Sequence, residues 1–340
     1  MILVGDNGHG KTNILEAVAY FHLLRSARGA RDVDCVRFGA DGFHLAVECV
    51  VSGETRTAAV GFERATRRKR ATRDGAEARP LSEALGSLPS VMVSPEDSVL
   101  VSGGPSERRR YLDVVLALTS RSYLAALQRY RGALLRRNAA LRDGAQAGDA
   151  TAVWEETLAE TGAVIASERR AWVDRFAPLF AERCAEIGER SAMSVRYASG
   201  IPGGDDSRDG LRAALERSRP ADERRGVTLV GPHRDDLRLA LAERPLATFG
   251  SAGQQRTAAF ALRVLEATTL RERIGGSPLL LLDDPFIELD PGRSERIARL
   301  LIANGAQAIL AVPQGSPIPP ALDERPRWGV RDGVVSSSAA

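Results

Sequence analysis

The chain has 340 residues, of which 44% are hydrophobic and 27% charged, and its formal net charge is +3. These values are ordinary for a globular protein and weakly permit a nucleic-acid partner. No apolar run approaches the ~20 residues that a membrane span needs, and the stretch MILV at the start is too short for a signal peptide. We therefore expect a cytoplasmic protein with no membrane partner. The scattered Cys35, Cys49 and Cys184 lack zinc spacing and a disulfide framework, so we expect buried thiols.

The first predicted element is a short buried strand at residues 1–4, which leads into the segment VGDNGHGKTN. Gly5, Gly10, Lys11 and Thr12 fit the phosphate-binding pattern G-x-x-x-x-G-K-[ST], and apolar residues with helical spacing follow. The glycines let backbone N–H groups surround phosphate oxygens. Lys11 would neutralise the β- and γ-phosphates and Thr12 would ligate magnesium. The segment therefore predicts a nucleotide-binding loop.

Strands and then helices are predicted after this loop. Alternation predicts strands across 42–62, Asp74-Gly75 predicts a hairpin turn, and SVMVSPED opens as a buried strand. From about 106 to 190 the pattern is helical, with two apolar stripes that favour two antiparallel helices forming an arm. A polar, flexible connection is expected at 199–210.

The segment SPLLLLDDP predicts a buried parallel strand, because four consecutive leucines leave no polar face. An acid at the end of such a strand, near the phosphate loop, holds magnesium directly or through water, which points to Asp283. Asp284 would lie one residue further on, where it could orient an attacking water. Taken alone, a strand that ends in solvated acids is the alternative.

The segment FGSAGQQRTAA predicts a turn at a helix start, where N–H groups and the helix dipole could hold a second phosphate. One nucleotide does not need two such cradles from one chain. In a dimer, each nucleotide could lie between the loop of one subunit and Ser251 and Gly253 of the other. A plain helix cap by Ser251 is the alternative.

Five segments together resemble the RecF family of bacterial recombination-repair ATPases, which belongs with the ABC-type heads of the SMC-like proteins. They are GDNGHGKTN, SPEDSVLVSGGPSERRRYLD, TLVGPHRDDLRL, FGSAGQQRTAA and LLLLDDPFIELD, in family order across essentially the whole chain. The resemblance implies an α/β fold, an ABC/SMC-type P-loop ATPase head with an inserted α-helical arm. The implied division is an N-terminal lobe at 1–105, the arm at 106–198 and a C-terminal lobe at 199–340.

Family members usually carry about a strand pair ahead of the phosphate-loop strand. That pair is missing before Met1, so we expect truncated N-terminal strands, through a mis-assigned start or a fragment. An unpaired edge would then remain on the N-terminal sheet.

The resemblance also implies roles for single residues. The implied cofactors are ATP and Mg²⁺, with Thr12 and Asp283 holding the metal and Lys11 and Asp284 acting in catalysis. The implied contacts to ATP come from the loop, which supplies Gly5, Asp6, Asn7, Gly8, His9, Gly10, Lys11, Thr12 and Asn13, and from the partner's signature, which supplies Ser251, Gly253 and Gln254. The D-loop at the dimer seam would be Glu288, Leu289 and Asp290.

The implied function is ATP-dependent homodimerisation on single-stranded and duplex DNA at gaps or junctions, which helps to load recombinase in DNA repair, replication restart and the SOS response. The implied protein partners are the recombination mediators RecR and RecO. ATP binding is a safer expectation than efficient hydrolysis. Val312-Pro313 stands where a polar switch residue is expected, and VMVSPEDSVLV contains no glutamine that could serve as a Q-loop ligand.

Arginine-rich stretches are the candidate DNA contacts, because arginines that follow phosphates give salt-sensitive, sequence-independent binding. A solvated surface in an arginine-rich protein is the alternative. The candidates are Arg64, Arg67, Arg68, Lys69, Arg70 and Arg73 in one run, and Arg108, Arg109, Arg110, Arg121, Arg129, Arg131, Arg136, Arg137 and Arg142 towards the arm. Tyr123 and Tyr130 are expected in the core, and His233 in a structural turn that holds the two lobes together.

Two other functions stay open. A different ABC-type ATPase subunit, such as the nucleotide-binding domain of a transporter, would share the loop, the signature and Asp283, but not the arginine-rich arm or GPHRDD. A non-hydrolysing, ATP-dependent DNA-binding scaffold would use ATP only to hold the dimer together. An OLD-type nuclease is disfavoured, because only ~50 residues follow Asp290, fewer than a typical domain.

Overall fold

A computed structural model describes residues 1–51, 53–143, 147–303 and 305–337. The helices are α1 Lys11–Leu23, α2 Val99–Ser102, α3 Pro105–Thr119, α4 Arg121–Arg142, α5 Ala147–Ile187, α6 Arg208–Arg225, α7 Leu246–Phe249, α8 Ala252–Ile274 and α9 Pro291–Ala303. The strands are β1 Ile2–Gly5, β2 Gly42–Val51, β3 Glu54–Glu63, β4 Arg68–Arg73, β5 Ala76–Glu77, β6 Ser90–Val93, β7 Met193–Ala198, β8 Asp236–Leu241, β9 Arg244–Pro245, β10 Leu279–Asp283, β11 Ala308–Pro313, β12 Arg327–Arg331 and β13 Val334–Ser337.

The chain divides into two compact units. The first comprises Met1–Asp97 with Leu262–Ala340, and the second comprises Ser98–Ala261. The division of the sequence at residues 105 and 198 stays a prediction about functional domains. None of the helices formed by the described residues combines the length and the apolar character that crossing a bilayer requires.

A six-stranded sheet forms the centre of the first unit, in the order β13-β12-β1-β11-β10-β6. All neighbours are parallel except β12 and β13. The predicted strand ahead of the phosphate loop is therefore an interior strand with partners on both sides. Helix α1 covers one face, where Leu3 and Leu15 pack with Leu281, Ala311 and Val330. This core fixes the carboxyl ends of β1 and β10 relative to each other.

A second, antiparallel sheet of the first unit has the order β2-β3-β4-β5. The predicted hairpin is confirmed, because Asp74 and Gly75 join β4 to β5 with φ angles of 50° and 79°. Among the described strands of this sheet, β2 and β5 each have a partner on one side only. Strands ahead of Met1 stay a prediction.

The predicted arm is present in the second unit as helices α4 and α5. Residues further along α4 contact residues that lie earlier in α5. Ser120, at the start of α4, bonds Glu168, whereas Arg137, near the end of α4, bonds Glu155. The two helices are therefore antiparallel, as predicted. Tyr123 is fully buried and Tyr130 nearly so, which confirms both as core residues rather than base-stacking platforms.

Helix α6 was not predicted, although its ends carry clear signals. The Ser207 hydroxyl accepts a hydrogen bond from the Gly210 N–H, and Gly226 ends the helix with a φ of 65°. Pro220 lies inside the helix, and only Leu211, Ala214 and Leu215 supply buried apolar contacts. Since a proline and a weak apolar stripe both argue against a helix, the caps were the signals that could have found it.

The cysteine prediction is correct in part. The Cys184 thiol is buried, and this burial raises its pKa to about 12. Cys35 is exposed and Cys49 is half-buried, so the expectation of three buried thiols is wrong for Cys35. Cys35 is the last residue of a short helical turn, Asp32–Cys35, ahead of β2.

Candidate nucleotide-binding site

The phosphate loop runs from the end of β1 to the start of α1. Gly8 and Gly10 have φ angles of 85° and 94°, which residues with a Cβ rarely adopt. A Cβ on Gly5 would lie 2.2 Å from the carbonyl oxygen of Val330 in β12, so strand packing also requires glycine there. The loop therefore has the strand–loop–helix setting that the sequence predicted, with Gly10 as the residue that precedes α1.

The Lys11 ammonium lies against the loop's own backbone. Its Nζ donates to the carbonyl oxygens of Gly5 at 2.8 Å and Asp6 at 3.0 Å, and the residue is only 6% exposed. The surrounding chain therefore fixes this charge at the turn, instead of leaving it on a mobile stem.

Thr12 and Asp283 come together although 271 positions separate them. The Thr12 hydroxyl donates to the Asp283 carboxylate, with Oγ1 at 2.8 Å from Oδ2 and 3.0 Å from Oδ1. Asp283 ends β10, and β11 separates β10 from β1, so the parallel sheet delivers the carboxylate to the same edge as the loop. Hydroxyl and carboxylate oxygens are ligands that Mg²⁺ prefers, so this pair fits the metal.

Burial raises the pKa of the Asp283 carboxyl. The hydrogen bond from Thr12 acts in the opposite direction, while the neighbouring Asp284 raises the pKa further. Burial makes the charged form of this carboxyl less favourable, and a bound cation would offset that desolvation penalty. Among the described residues, no group of three His, Cys, Asp or Glu side chains gathers as a metal site. Magnesium would therefore take its remaining ligands from phosphate and water.

Asp284 follows in an uncommon backbone conformation, with a φ of 42°. Its N–H donates to the Ala311 carbonyl at 2.9 Å, which continues the β10–β11 ladder by one residue. The residue therefore lies at the strand end beside Asp283, as predicted. Its role towards water stays a prediction.

The signature segment forms a capped helix start in the second unit. The Ser251 hydroxyl accepts from the Gln254 N–H at 3.3 Å, and the Gln254 side-chain oxygen accepts from the Ser251 N–H at 2.9 Å. This reciprocal pair is a capping box. The Gln254 amide also donates to Glu189 at 3.2 Å. Helix capping by Ser251 is thus present, while contact with ATP of a partner subunit stays a prediction.

The predicted D-loop lies between β10 and α9. The Asp290 carboxylate accepts from the Arg293 N–H at 2.9 Å and so caps α9. This hydrogen bond holds the pKa of the Asp290 carboxyl below its usual range. Glu288 has a φ of 58°, which marks a tight reversal ahead of the cap. Contact across a dimer seam stays a prediction for this segment.

His233 forms two hydrogen bonds within the second unit. Its Nδ1 lies 2.7 Å from the Tyr130 hydroxyl, and its Nε2 lies 2.9 Å from the Thr228 carbonyl oxygen. Burial lowers the pKa of this imidazole to about 4. The expected structural turn is present, and its contacts tie it to arm helix α4, while its role in holding the two lobes together stays a prediction.

Two arginines predicted to contact DNA are instead part of the interior of the second unit. Arg137 is fully buried and forms ion pairs with Asp222 at 2.7 Å and with Glu155 at 3.1 Å. Arg108 is 9% exposed and bonds Asp236 at 2.7 Å. These side chains are excluded as phosphate contacts, because a buried charge needs its protein partners. The remaining arm arginines stay candidates.

Similar proteins assign the chain to a family. The DNA replication and repair protein RecF of Anaeromyxobacter sp. (strain K) is 38% identical over 347 residues, which cover 98% of this chain and 92% of the relative. The chain belongs to the RecF family. This confirms the resemblance that was drawn from five segments. No protein-family model matches the chain.

Solved structures agree with this family. The structure of the recombination mediator protein RecF-ATP in the RecFOR pathway has a TM-score of 0.89 and is 27% identical, covering 99% of this chain and 91% of that chain. An Smc head domain from Pyrococcus furiosus has a TM-score of 0.54 and is 16% identical, covering 98% of this chain and 88% of that chain. The second likeness concerns the fold alone, and it agrees with the expected SMC-type head fold.

Proposed function

We propose that this RecF-family chain binds ATP with Mg²⁺ at its phosphate loop and hydrolyses it slowly during recombinational DNA repair. The observation that carries the proposal is the hydrogen bond between Thr12 and Asp283, which joins the phosphate loop to the predicted magnesium acid. The solved relative described as RecF-ATP supports the choice of nucleotide.

Each residue of this site has a distinct proposed role. The N–H groups of Gly8 to Lys11 bind phosphate oxygens at the start of α1, and the Lys11 ammonium shifts from loop carbonyls to the β- and γ-phosphates. Thr12 and Asp283 hold the metal, which when bound neutralises phosphate charge. Asp284 orients the attacking water. The low-polarity surroundings of Asp283 strengthen these electrostatic interactions.

The proposed assembly is a homodimer that closes around ATP on DNA. The loop of one subunit and Ser251, Gly253 and Gln254 of the other would enclose the same nucleotide, with residues 288–290 at the seam. The proposed substrate is DNA at gaps or single/double-strand junctions, and the proposed partners are RecR and RecO. The name of the solved relative, a recombination mediator in the RecFOR pathway, supports this context.

Asp283→Asn is expected to reduce magnesium-dependent ATP turnover by about 100-fold while ATP binding falls much less. The substitution keeps the shape and can still accept from Thr12, but it removes the charge that holds the metal. Single-turnover hydrolysis and equilibrium ATP titration, each across a magnesium series, separate the two effects. Asp323→Asn is the matched control, since it removes an exposed carboxylate that pairs with Arg327 and lies outside the proposed site. Wild-type turnover in Asp283→Asn would contradict the proposed site.

DNA binding is expected to weaken steeply with salt and to depend on ATP. Each phosphate contact contributes about −0.9 to the slope of log affinity against log salt on duplex DNA. Arg70→Ala removes an exposed arginine of the run at 64–73, so the slope should become shallower by about that amount. Arg196→Ala is the control, because it removes an exposed arginine outside the candidate set that pairs with Glu243. Fluorescence anisotropy with and without ATP measures both, and a flat salt response would exclude a phosphate groove.

A non-hydrolysing scaffold is the second candidate. The observation that favours it is the end of β11, where buried Val312 and then Pro313 lie beside Val4 and Gly5 of the phosphate-loop strand. Apolar side chains at that strand end cannot polarise a water molecule. ATP-dependent DNA binding without single-turnover hydrolysis would identify this function.

A further inference from the structure

The C-terminal hairpin of the first unit contacts the phosphate loop at His9. Asp332 and Gly333 form the two-residue turn between β12 and β13, with φ angles of 50° and 78°. The Asp332 N–H donates to His9 Nδ1 at 3.1 Å, and the Gly333 N–H donates to the His9 carbonyl oxygen at 3.0 Å. The Asp332 carboxylate lies 3.3 Å from the same ring nitrogen. Both N–H groups of the turn are thus bonded to one residue of the loop.

The same hairpin touches the loop at its two ends. At the first, a Cβ on Gly5 would meet the Val330 carbonyl oxygen of β12 at 2.2 Å. At the second, a Cβ on Gly10 would lie 3.5 Å from the Gly333 Cα, so the turn backbone packs on the residue that starts α1. The β1–β12 pairing holds this strand in register with the loop strand. The hairpin therefore contacts the loop at its beginning, middle and end.

We propose that the Asp332-Gly333 turn is a positioning element for the phosphate loop and that His9 is the residue through which it acts. This inference rests on the proposed binding of ATP. The loop must present its N–H groups in one arrangement, and Gly8 and Gly10 make that arrangement conformationally loose. A contact that fixes His9 between these glycines lowers the entropy lost when phosphate binds, which raises affinity.

The contact does not require one protonation state of the ring. A neutral His9 accepts the Asp332 N–H at Nδ1, while a protonated ring would donate from Nδ1 to the Asp332 carboxylate. The Gly333 N–H bonds a backbone carbonyl, so this hydrogen bond is the same in either protonation state of the ring. The turn itself depends on Gly333, since two-residue turns with positive φ at both positions strongly favour Asp-Gly. The element is thus a fixed support for the loop.

The chain contains a matched control for this turn. Asp74 and Gly75 form the same dipeptide with nearly the same φ angles, 50° and 79°, but the Asp74 carboxylate bonds Arg56 and the Thr57 N–H. A Cβ on Gly75 or on Gly333 would meet nothing within 4 Å, so alanine adds only backbone strain at either place. Gly333→Ala and Gly75→Ala therefore impose the same local strain, once at the loop and once away from it.

The test measures ATP affinity by equilibrium titration in the full chain, with the unfolding midpoint as a second readout. His9→Ala and Gly333→Ala should each weaken ATP binding about three- to tenfold, the size of a lost hydrogen bond. Gly75→Ala should leave affinity unchanged, and His9→Asn should restore it, because the Asn side-chain oxygen can accept where Nδ1 does. Amide hydrogen exchange at Asp332, measured without nucleotide, should be faster in His9→Ala than in wild type, because this N–H loses its acceptor.

The outcomes separate this inference from the proposed function. Wild-type affinity in both His9→Ala and Gly333→Ala, with tight binding by the wild type, would overturn the positioning role alone. Equal losses in Gly333→Ala and Gly75→Ala, or no rescue by His9→Asn, would also overturn it, since general destabilisation would then explain the effect. Failure of the wild type to bind ATP would overturn the proposed function itself, while the exchange measurement would still report on the His9 contact.

Discussion

Lys11→Ala is expected to weaken ATP binding by about 10- to 100-fold, the size of one or more hydrogen bonds to a charged group. The Lys11 ammonium is buried at the loop and bonds the carbonyls of Gly5 and Asp6, so it lies where phosphates would be enclosed. Its removal leaves the phosphate charge with backbone N–H groups and magnesium alone. Equilibrium titration with ATP at fixed magnesium measures the loss.

Two control variants show whether the effect belongs to this site. Lys69→Ala removes the only other lysine of the chain, which pairs with Asp32 at 2.7 Å and bonds the Leu24 carbonyl. It should leave ATP affinity unchanged. Lys11→Arg keeps the charge but replaces a compact ammonium with a planar fork, and we expect little rescue. If Lys11→Ala binds ATP like the wild type, the loop is not a nucleotide site.

Local patterns in the sequence were sufficient to predict the centre of the candidate site. A glycine loop between a strand and a helix, and acids after four leucines, each require a specific backbone setting. Both settings are present. The expected nearness of Asp283 to the loop agrees with one further rule, that parallel strands present their carboxyl ends at the same sheet edge. The hydrogen bond between Thr12 and Asp283 itself is a finding of the structure. The antiparallel arm and the buried Tyr123 followed from helical periodicity.

Contacts between distant segments could not be predicted in the same way. His9 and Asp332 are 323 positions apart, and nothing in either segment indicates that β12 lies next to β1. The sequence predicts Arg137 as a DNA contact, because charge patterning does not show that Asp222 and Glu155 surround it. The sequence does not predict α6, because Pro220 disfavours a helix there. In the structure, tertiary packing and the two caps outweigh this local preference.

The largest expected recovery of activity concerns sites shared between two subunits. If residues 5–12 of one subunit and 251–254 of the other enclose the same ATP, Lys11→Ala damages a site through its own loop. Ser251→Ala damages the site that belongs to its partner. Each mutant homodimer then has two damaged sites. A mixed dimer of the two variants has one site with both lesions and one site with none.

The experiment compares two heterodimers of identical composition, each purified through different tags on its two subunits. The trans heterodimer pairs Lys11→Ala with Ser251→Ala and keeps one intact site. The cis heterodimer pairs the double mutant with wild type and keeps none, because each of its sites contains one lesion. We expect the trans form to hydrolyse ATP at about half the wild-type rate per dimer, if the sites act independently, and the cis form at no more than the level of the parent mutants.

Capping by Ser251 must be separated from contact with ATP in this comparison. Ser251→Ala removes the hydroxyl that accepts from the Gln254 N–H, which destabilises α8 by about 1 kcal/mol. Ser251→Asp keeps an accepting oxygen and caps equally well, but it would bring negative charge towards the partner's phosphates. It should therefore inactivate the partner's site at least as strongly as alanine while leaving stability unchanged. If trans heterodimers form and bind ATP but hydrolyse no faster than cis heterodimers, Ser251 is only a helix cap and each subunit completes its own site.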